Sequence, residues 1–311
     1  MEELMGVQRI PKLGIGIPVY NGENFLEDAL NSLLDQTFQD FEMFISDNGS
    51  TDKTEKICRK YSESDSRIHY TRYEQNRGVT WNFNNVFRLS RNEYFKWAPH
   101  DDLYHPTFLE KCIDVLDHDN GVVLCYAKTI IIDETGKEVK KIETKLRVDN
   151  DKPHVRFHDL LVDYLVYEQY GIIRSDGLKK TPLFGGYGHE DGVILAHLGL
   201  IGRYQEIPEY LYYNREHPQK SWNFYKTYRE YTVYLDPTKA GKILLPRWRM
   251  GFEYIKAVTS VPLYWREKLL CYFQMIFWVR IFWKSLIANV LVAFVQILML
   301  PFRKPNQIPV D

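Results

Sequence analysis

The first hundred residues alternate short apolar runs with longer segments of mixed polarity. The apolar runs predict buried strands over residues 13–20, 41–46, 68–73 and 94–98. The segments between them carry apolar residues every three or four positions, as amphipathic helices do. The predicted helices cover 25–34, a stretch that ends near Lys60, and 80–89. This repeated strand–turn–helix pattern predicts an α/β fold with a mostly parallel, doubly wound sheet.

Beyond residue 100 the pattern is less regular. It predicts helices over 106–116 and 160–167, and a third that begins near Glu190. Strands are predicted at 122–127, 171–174, 201–208 and 210–214, with a hairpin or loop over 128–144. Residues 145–158 are polar and follow no clear period, so no element is predicted there.

Polar residues follow each of the first four predicted strands. They are Asn21, Asp47, Asn76 and the pair Asp101–Asp102. Because the carboxyl ends of parallel strands meet at one edge, where open α/β sheets bind ligands, we expect these side chains on one edge of the sheet. Carboxylates there suit Mg²⁺ or Mn²⁺, which usually bind one or two carboxylates together with substrate phosphates. The alternative is that the Asp pair only caps the next helix.

A second polar cluster comes from a glycine-rich stretch, 183–192, that runs into an apolar helix. Glu190 and Asp191 fall at the N-terminus of that helix. They either cap it, which the helix dipole favours, or supply a general base that accepts a hydroxyl proton. Arg215 and His217 follow later, and such side chains are natural partners for a diphosphate or a metal ion.

Composition narrows the function classes. The 311-residue chain has a net charge of −1, so nothing indicates nucleic acid as a partner. The four cysteines show no Cys-x-x-Cys spacing, which argues against a zinc or disulfide framework and predicts a cytoplasmic protein. Residues 1–11 contain no apolar segment, so we expect no signal peptide. The 22 tyrosines favour a sugar site, a membrane interface or a tyrosine-rich core.

The last quarter of the chain differs in character. Residues 261–300 are apolar and aromatic, with cations at Arg266, Arg280 and Lys284. The most apolar run, 286–300, is shorter than the roughly 20 residues that a transmembrane helix needs. We therefore predict one or two amphipathic helices that bring residues 261–304 to the cytoplasmic face of the membrane. Packing on the rest of the chain, a homodimer contact and a true span are the alternatives.

These motifs together resemble those of family 2 glycosyltransferases of the GT-A fold, over roughly residues 11–222. The resemblance rests on segments 16–21, 45–52, 76–78 with Asn84, 100–102, 190–191 and 213–217. It implies transfer of a sugar from a nucleoside diphosphate sugar, a UDP-sugar by family habit, to a hydroxyl of a glycan or lipid-linked acceptor. It also implies a catalytic domain over 1–222, with a nucleotide-binding half at 11–127 and an acceptor half at 128–222, and a helical extension over 223–311.

By this resemblance the donor nucleotide lies against the first strand ends. The implied nucleotide-binding residues are Pro18, Tyr20, Asn21, Glu23, Asp47, Asn76, Arg77, Gly78 and Asp101. Tyr20 would flank the base, and Asp47 would accept from a ring N–H. Asp102 would coordinate Mn²⁺ or Mg²⁺, with Asp101 at the ribose or a metal-bound water. His217, a further candidate metal ligand, and Arg215 would lie on a flexible loop that closes over the diphosphate.

The pair Glu190–Asp191 resembles the acidic pair of the family, in which the second member, here Asp191, is the general base. A single base without a nucleophilic carboxylate implies inversion at the sugar. Two other functions compete with this one. A nucleotidyltransferase that makes the sugar nucleotide usually needs a Lys or Arg in the loop after the first strand, and residues 14–23 contain neither. A non-catalytic sugar- or nucleotide-binding module could keep the fold, although both acidic elements count against it.

Overall fold

The computed structural model describes residues 9–163, 165–220, 225 and 227–299. Its strands are β1 (Leu13–Val19), β2 (Phe41–Asp47), β3 (Ile68–Arg72), β4 (Tyr94–Trp97), β5 (Leu103–Tyr104), β6 (Val122–Ile132), β7 (Glu138–Ile142), β8 (Ile172–Arg174) and β9 (Arg203–Arg215). Its α-helices are α1 (Leu26–Leu34), α2 (Thr54–Ser64), α3 (Val79–Leu89), α4 (Phe108–His118), α5 (Pro153–Val162), α6 (Ser175–Leu178), α7 (Glu190–Ile201), α8 (Tyr228–Leu235), α9 (Pro246–Ser260) and α10 (Trp265–Met299).

The described strands form one sheet in the order β3-β2-β1-β4-β8-β6-β9-β5, with β7 paired to β6. The first four strands are parallel. In the second half, β8 runs antiparallel to both neighbours, β9 lies parallel to β6, and β5 pairs antiparallel with β9. The predicted α/β fold is confirmed, and every described antiparallel pair contains at least one strand from the residues after 100.

Helices cover both faces of the sheet. One core lies under α1, α2 and α4, and it takes the alternate β1 residues Leu13, Ile15 and Ile17. The other core lies under α3, α5, α7, α9 and α10. On that face β1 presents Gly14 and Gly16, and a Cβ at Gly16 would come within 2.6 Å of Val86 on α3. A side chain there would therefore push α3 away from the central strand.

Two predicted boundaries were wrong. The helix expected at 160–167 is α5, which begins at Pro153 and ends at Val162. A proline at the first helical position suits a helix start. The first turns of α5 were not predicted because residues 145–158 are polar and show no clear period. Val166 then adopts a left-handed conformation (φ 64°), and a 3₁₀ turn follows over Tyr167–Tyr170.

The strands predicted at 201–208 and 210–214 are a single strand, β9. Pro208 divides them in the sequence, because proline cannot donate to a sheet ladder. In the structure the register with β6 shifts there: Ile207 pairs with Ala127, and Tyr210 pairs with the next residue, Lys128. The proline is thus placed in a bulge, and the strand continues past it.

The C-terminal apolar segment is one continuous helix, α10, of 35 residues and about 52 Å. Cys271, Met275, Trp278 and Leu286 bury one stripe of it in the core shared with α5 and α9. By length and composition the stretch Trp265–Leu298 is sufficient to cross a membrane, whereas the sequence analysis considered only the shorter run 286–300. Residues 300–304 of the predicted membrane segment lie outside the described part of the chain.

Candidate active site

The loops after β1 and β2 are tied to each other by hydrogen bonds from backbone N–H groups to side-chain oxygens. Asn21 N donates to Ser50 Oγ (2.9 Å), and Thr51 N donates to Asn21 Oδ1 (2.8 Å). Glu23 Oε2 accepts from Lys53 N at 3.1 Å. Asn21 and Glu23, both predicted to bind nucleotide, therefore hold the loops in place. Tyr20 projects from the same loop with 42% of its surface exposed.

Asp47 ends β2 with a fully buried carboxylate. Its Oδ1 accepts from Ser50 N (2.8 Å), and its Oδ2 accepts from the Tyr70 hydroxyl (2.9 Å) and lies 3.5 Å from Arg72 Nε. Pro18 is buried beside it in β1, aligned with Ser46 and beyond the last β1 residue that pairs with β4. Both residues lie near the carboxyl ends of their strands, at the edge of the sheet where the nucleotide pocket is predicted.

The segment Asn76–Gly78 is held by Asn48, a residue that the sequence analysis missed. Asn48 Nδ2 donates to Asn76 Oδ1 (2.9 Å), and Arg77 N donates to Asn48 Oδ1 (3.0 Å). The Arg77 guanidinium lies 4.7 Å from the Trp81 ring centroid. Gly78 is left-handed (φ 90°), so the chain turns sharply into α3. Asn48 could have been identified from the sequence, because it directly follows the predicted site residue Asp47.

Asp101 and Asp102 are adjacent in sequence but lie in different surroundings. Asp102 is 1% exposed, and both its carboxylate oxygens accept hydrogen bonds from the end of β9. The donors are the Tyr212 hydroxyl, Asn214 Nδ2 (3.2 Å) and Arg215 N (2.9 Å). Burial and the neighbouring Asp101 charge raise the pKa of Asp102. Asp102 thus fastens β9 to the loop after β4, and its ligation of a metal stays a prediction.

Asp101, in contrast, pairs with a histidine. Its Oδ2 lies 3.0 Å from His217 Nε2, and the His217 ring packs on Phe25 with the ring centroids 4.7 Å apart. Burial alone would raise the pKa of Asp101, but the His217 hydrogen bond and the charges of His100 and Lys220 lower it. Asp101 is therefore an anion with a basic neighbour, and it faces the pocket more openly than Asp102 does.

The resemblance implied that Arg215 lies on a flexible loop, but the structure places it in a strand. It is the last residue of β9 and is 2% exposed. Its Nε donates to the Asp101 carbonyl (2.9 Å), and its Nη1 donates to the Glu134 carbonyl (3.0 Å). Its Nη2 lies 3.2 Å from an Asp28 oxygen. The Arg215 side chain therefore holds the Asp101 backbone in position through its carbonyl.

Lys220 is a second residue that the sequence analysis missed. Its Nζ donates to Asn214 Oδ1 (2.8 Å), and the side chain is nearly buried. Its positive charge lowers the pKa of both Asp101 and Asp102. A cation next to two carboxylates at a sheet edge can also face phosphate oxygens. Its position three residues after His217 was the available signal.

The fit of a divalent cation follows from these ligands. Among the described residues no group of three or more His, Cys, Asp or Glu side chains could hold a metal ion. The Asp101–His217 pair supplies one oxygen and one nitrogen. Mg²⁺ sites of nucleotide enzymes commonly take one or two protein ligands, with the rest from phosphates and water. The pair fits such a shared site and would not form a closed all-protein cage.

The second acidic pair lies at the N-terminus of α7. Glu190 Oε1 accepts from the Thr80 hydroxyl (2.7 Å), and Oε2 accepts from Gly186 N, so Glu190 joins the glycine-rich loop to α3. Asp191 is half-buried, and its Oδ1 accepts from Gly192 N (2.9 Å). Burial raises the pKa of Asp191 to about 6. A carboxylate with that pKa is a suitable proton acceptor near neutral pH.

The loop before α7 is strained and well braced. Leu183, Gly186, Gly188 and His189 all have positive φ angles, between 53° and 69°. Asn84 holds the loop through both of its amide atoms, which bond the carbonyl (2.8 Å) and the N–H (3.1 Å) of Phe184. Strained backbone persists where the surroundings fix it, and it occurs often at active sites.

Tyr170 connects the two acidic pairs. Burial, followed by the charges of Asp102, Asp101 and Asp191, raises the pKa of its hydroxyl well above the usual value. One hydroxyl thus lies within electrostatic reach of both pairs. The charges of Asp101 and Asp191, both predicted site residues, therefore act on the same hydroxyl, while Asp102, Glu190 and Arg215 make the hydrogen bonds described above.

Comparison with known proteins supports the sequence resemblance. Residues 15–169 match the model of the family described as Glycosyl transferase family 2. An uncharacterized glycosyltransferase of Rickettsia typhi is 34% identical over 175 residues, 56% of this chain and 54% of that protein. The chondroitin synthase of Escherichia coli is 31% identical over 130 residues, 42% of this chain and 19% of that protein. The chain thus spans about half the length of the rickettsial relative.

The fold also matches solved structures. The crystal structure of S. aureus TarS 1–349 in complex with UDP superimposes with a TM-score of 0.60 at 18% identity, covering 84% of this chain and 69% of that one. The same fragment in complex with UDP-GlcNAc gives a TM-score of 0.56 at 16% identity, covering 81% and 82%. At such identities the likeness establishes the fold alone. With the family match, the chain belongs to glycosyltransferase family 2, built on the GT-A fold.

Proposed function

We propose that the protein transfers a sugar from a nucleoside diphosphate sugar, in particular a UDP-sugar, to a hydroxyl group of a glycan or lipid-linked acceptor. The observation that carries the proposal is the contrast between two carboxylates at the predicted site, Asp101 and Asp191, in their hydrogen-bond partners and burial. On one side the Asp101–His217 pair carries a low-pKa carboxylate beside basic groups. On the other side Asp191 is a desolvated carboxylate with a raised pKa. The first suits a leaving diphosphate, and the second suits an incoming hydroxyl.

The donor nucleotide would occupy the edge formed by the first three strand ends. The exposed Tyr20 ring offers a face for the base, and the Asp47 carboxylate lies in the wall behind it. Asn76, Arg77 and Gly78 close the far side of the same pocket. The complex of the structurally similar TarS with UDP supports the choice of uridine.

Asp101 and His217 would hold Mn²⁺ or Mg²⁺, which would neutralise charge on the departing diphosphate. Lys220 adds a fixed positive charge on the same side. Asp102 and Arg215 act only by placing these groups, through the end of β9 and the Asp101 carbonyl. Of the three predicted ligand candidates, Asp101, Asp102 and His217, we assign Asp101 and His217 to the metal, because the oxygens of Asp102 already accept hydrogen bonds from β9.

Asp191 would accept the proton of the acceptor hydroxyl as that oxygen forms its bond to the anomeric carbon. The bond from the anomeric carbon to the diphosphate oxygen breaks in the same step, and the diphosphate departs with the electron pair. In the acidic pair that Glu190–Asp191 resembles, one carboxylate acts as the base and none as a nucleophile, so a single displacement is expected, which inverts the anomeric centre. An α-linked donor would then give a β-linked product.

The two competing functions are less well supported. The loop after β1 carries Asn21, Gly22 and Glu23 packed on the 50–54 segment, and it offers no cation for a nucleotidyltransferase phosphate loop. A pure binding module would not need Asp191 desolvated at a helix N-terminus. Burying a carboxylate there lowers the stability of the protein, and a catalytic role would explain why the residue is present despite that cost.

The test is UDP release from a panel of UDP-sugars with Mn²⁺, with and without glycan acceptors, followed by NMR of the product linkage. We expect turnover with one donor, and a loss of about 10²–10⁴-fold in kcat in Asp191→Asn, with the affinity for UDP unchanged. Asp176→Asn, on the surface and paired only with Lys179, is the matched control. An active Asp191→Asn enzyme would remove the base assignment, and a retained anomeric configuration would remove inversion.

We further propose that α10 brings the enzyme to a membrane surface, on the cytoplasmic side. Beyond its packed stripe the helix presents apolar side chains to solvent, including Leu291 (60% exposed) and Phe294 (57% exposed). Trp265 and Trp283 carry cations near their rings, at Arg266 and Lys284. Apolar surface flanked by tryptophan and basic side chains suits a lipid headgroup boundary.

The double variant Leu291→Glu with Phe294→Glu tests this contact. It should lower partition of the full chain into anionic vesicles by at least about tenfold. Val139→Glu is the control: Val139 is similarly exposed but lies on β7 and not on α10, so the substitution should leave partition unchanged. Unchanged partition in the double variant rejects the membrane, and conversion of a dimer to a monomer in sedimentation would identify the face as a homodimer contact instead.

A further inference from the structure

A cluster of tyrosines lies beside the proposed base, outside the region that the family match covers. α8 begins with a complete capping box, in which Thr227 and Glu230 bond each other's backbone N–H groups. Such a cap fixes the start of a short helix. Among the residues of α8, only Thr232 and Leu235 are buried. The three tyrosines of the helix, Tyr228, Tyr231 and Tyr234, are each partly exposed.

Two of these rings, Tyr231 and Tyr234, form a single surface with Tyr225, which precedes the helix. The Tyr225 and Tyr234 rings stack with centroids 4.6 Å apart and an interplanar angle of 28°. The Tyr231 ring lies 6.2 Å from Tyr225 and 6.3 Å from Tyr234. All three are half-buried, so each keeps an accessible part. Among the described residues, neither Tyr225 nor Tyr231 has a hydroxyl hydrogen bond.

The surface adjoins Asp191. A Cβ built on Gly188, three residues before Asp191, would lie 3.4 Å from Tyr231 Cδ1 and 3.0 Å from Tyr228 Cε1. The His189 and Tyr228 rings are 5.3 Å apart. The glycine-rich loop thus packs directly on α8, and the absence of a side chain at Gly188 lets Tyr231 approach the start of α7. Fixed contacts of this kind hold the ring surface at a set position relative to the base.

We propose that Tyr225, Tyr231 and Tyr234 form the platform for the acceptor, and that the acceptor presents a pyranose ring there. A sugar ring has apolar C–H faces and a polar edge, and tyrosine offers a flat apolar face with a hydroxyl at its rim. Tyrosine also gives a large rigid contact area at low entropic cost. A sugar resting on this surface places a hydroxyl toward Asp191, where the proton is to be accepted. This assignment rests on the proposed transfer and names the acceptor site within it.

The experiment is saturation-transfer NMR on the full chain with UDP and Mn²⁺ present. The probes are the methyl β-glycosides of glucose, galactose, mannose, N-acetylglucosamine and glucuronic acid. We expect saturation of ring protons in at least one glycoside. Tyr231→Ala should weaken that binding by about tenfold, and Tyr231→Phe should retain most of it because the ring face remains. Tyr264→Ala, at an 87% exposed tyrosine just before α10, is the control and should bind as the parent does.

Affinity for UDP separates a platform from a merely structural tyrosine. It should stay within about twofold of the parent in Tyr231→Ala, since the ring lies on the acceptor side. A parallel loss of UDP binding, equal glycoside binding by parent and Tyr231→Ala, or no glycoside bound by the parent would each overturn the proposal. Failure of the proposed transfer would look different: no UDP-sugar would be turned over, while glycoside binding at the tyrosines would persist.

Discussion

The protein has two pairs of acidic residues that are neighbours in sequence, Asp101–Asp102 and Glu190–Asp191. In each pair the two carboxylates lie in different surroundings. One carboxylate of each pair accepts hydrogen bonds from the protein: Asp102 from the end of β9, and Glu190 from Thr80 and Gly186. The other, Asp101 or Asp191, faces the site. The difference between the pairs lies in their neighbours, because cations surround Asp101 while burial dominates at Asp191.

That difference teaches how one fold prepares two carboxylates for opposite tasks. His217 and Lys220 keep Asp101 ionised, as a group that faces a metal and a diphosphate should be. Burial without a compensating cation makes Asp191 hold its proton more tightly, as a group that collects a proton should. Four measurements can break or sharpen the comparison.

The largest effect is expected at Asp101. Asp101→Asn should lower turnover by about 10²–10³-fold and raise the Mn²⁺ concentration needed for half-maximal rate, because one of the two protein ligands loses its charge. Initial rates across a Mn²⁺ titration measure both quantities. His217→Gln should shift the Mn²⁺ dependence in the same direction. If Asp101→Asn responds to Mn²⁺ as the parent does, Asp101 is not a metal ligand.

Asp102 should show its effect in stability. Asp102→Ala removes the acceptor for Asn214 and for Arg215 N in a buried site, so the free energy of unfolding should fall by about 2–4 kcal/mol. Urea denaturation monitored by circular dichroism measures it. Asp114→Ala, which removes an exposed pair with His118, should change stability by less than about 0.5 kcal/mol. Equal losses in the two variants would contradict the fastening role.

Asp191 should cost stability at neutral pH. Its pKa is about 6 in the folded state against an ordinary value of 3.8, so the folded protein binds the proton more tightly than the unfolded chain does. The penalty is fully present above pH 6 and is relieved as the pH falls toward 4. Asp191→Asn should therefore raise the free energy of unfolding by about 1–3 kcal/mol at pH 8, and by less at pH 5. Destabilisation at pH 8 would contradict the assigned burial.

The smallest effect is the pH dependence of the parent enzyme. As Asp191 protonates below pH 6, kcat should fall by about tenfold per pH unit, and it should level off above pH 7. Turnover measured from pH 5 to pH 8 at saturating donor and acceptor gives the profile. A rate that is flat between pH 5 and pH 7 would place the essential base elsewhere.

The parts of the fold that the sequence predicted are those set by local patterns. β1, β2 and β4 are buried apolar runs, and a run of that kind predicts a strand without knowledge of its neighbours. Asp191 was predicted because a helix start can be recognised from the glycines and the apolar period that follows. Local signals sufficed where one element decides the outcome.

The parts that were missed depend on contacts between distant residues. The burial of Asp102 is set by Tyr212 and Asn214, more than a hundred residues away. Arg215 looked like a mobile phosphate ligand, and only the course of β9 shows that it lies beneath Asp101. The left-handed Val166 likewise has no sequence signature, since a β-branched residue rarely adopts that conformation. Tertiary packing fixed all three.

The pairing of Asp101 with His217 has a consequence for how the protein is made. The two residues are 116 positions apart, and they meet only when β9 enters the sheet between β6 and β5. A ribosome will have released the whole parallel half, β1 to β4, long before His217 leaves the exit tunnel. Closing so long a loop is also slow compared with forming the local β–α units. The parallel strands can therefore form while the Asp101–His217 pair, which we propose to hold the metal, is still incomplete.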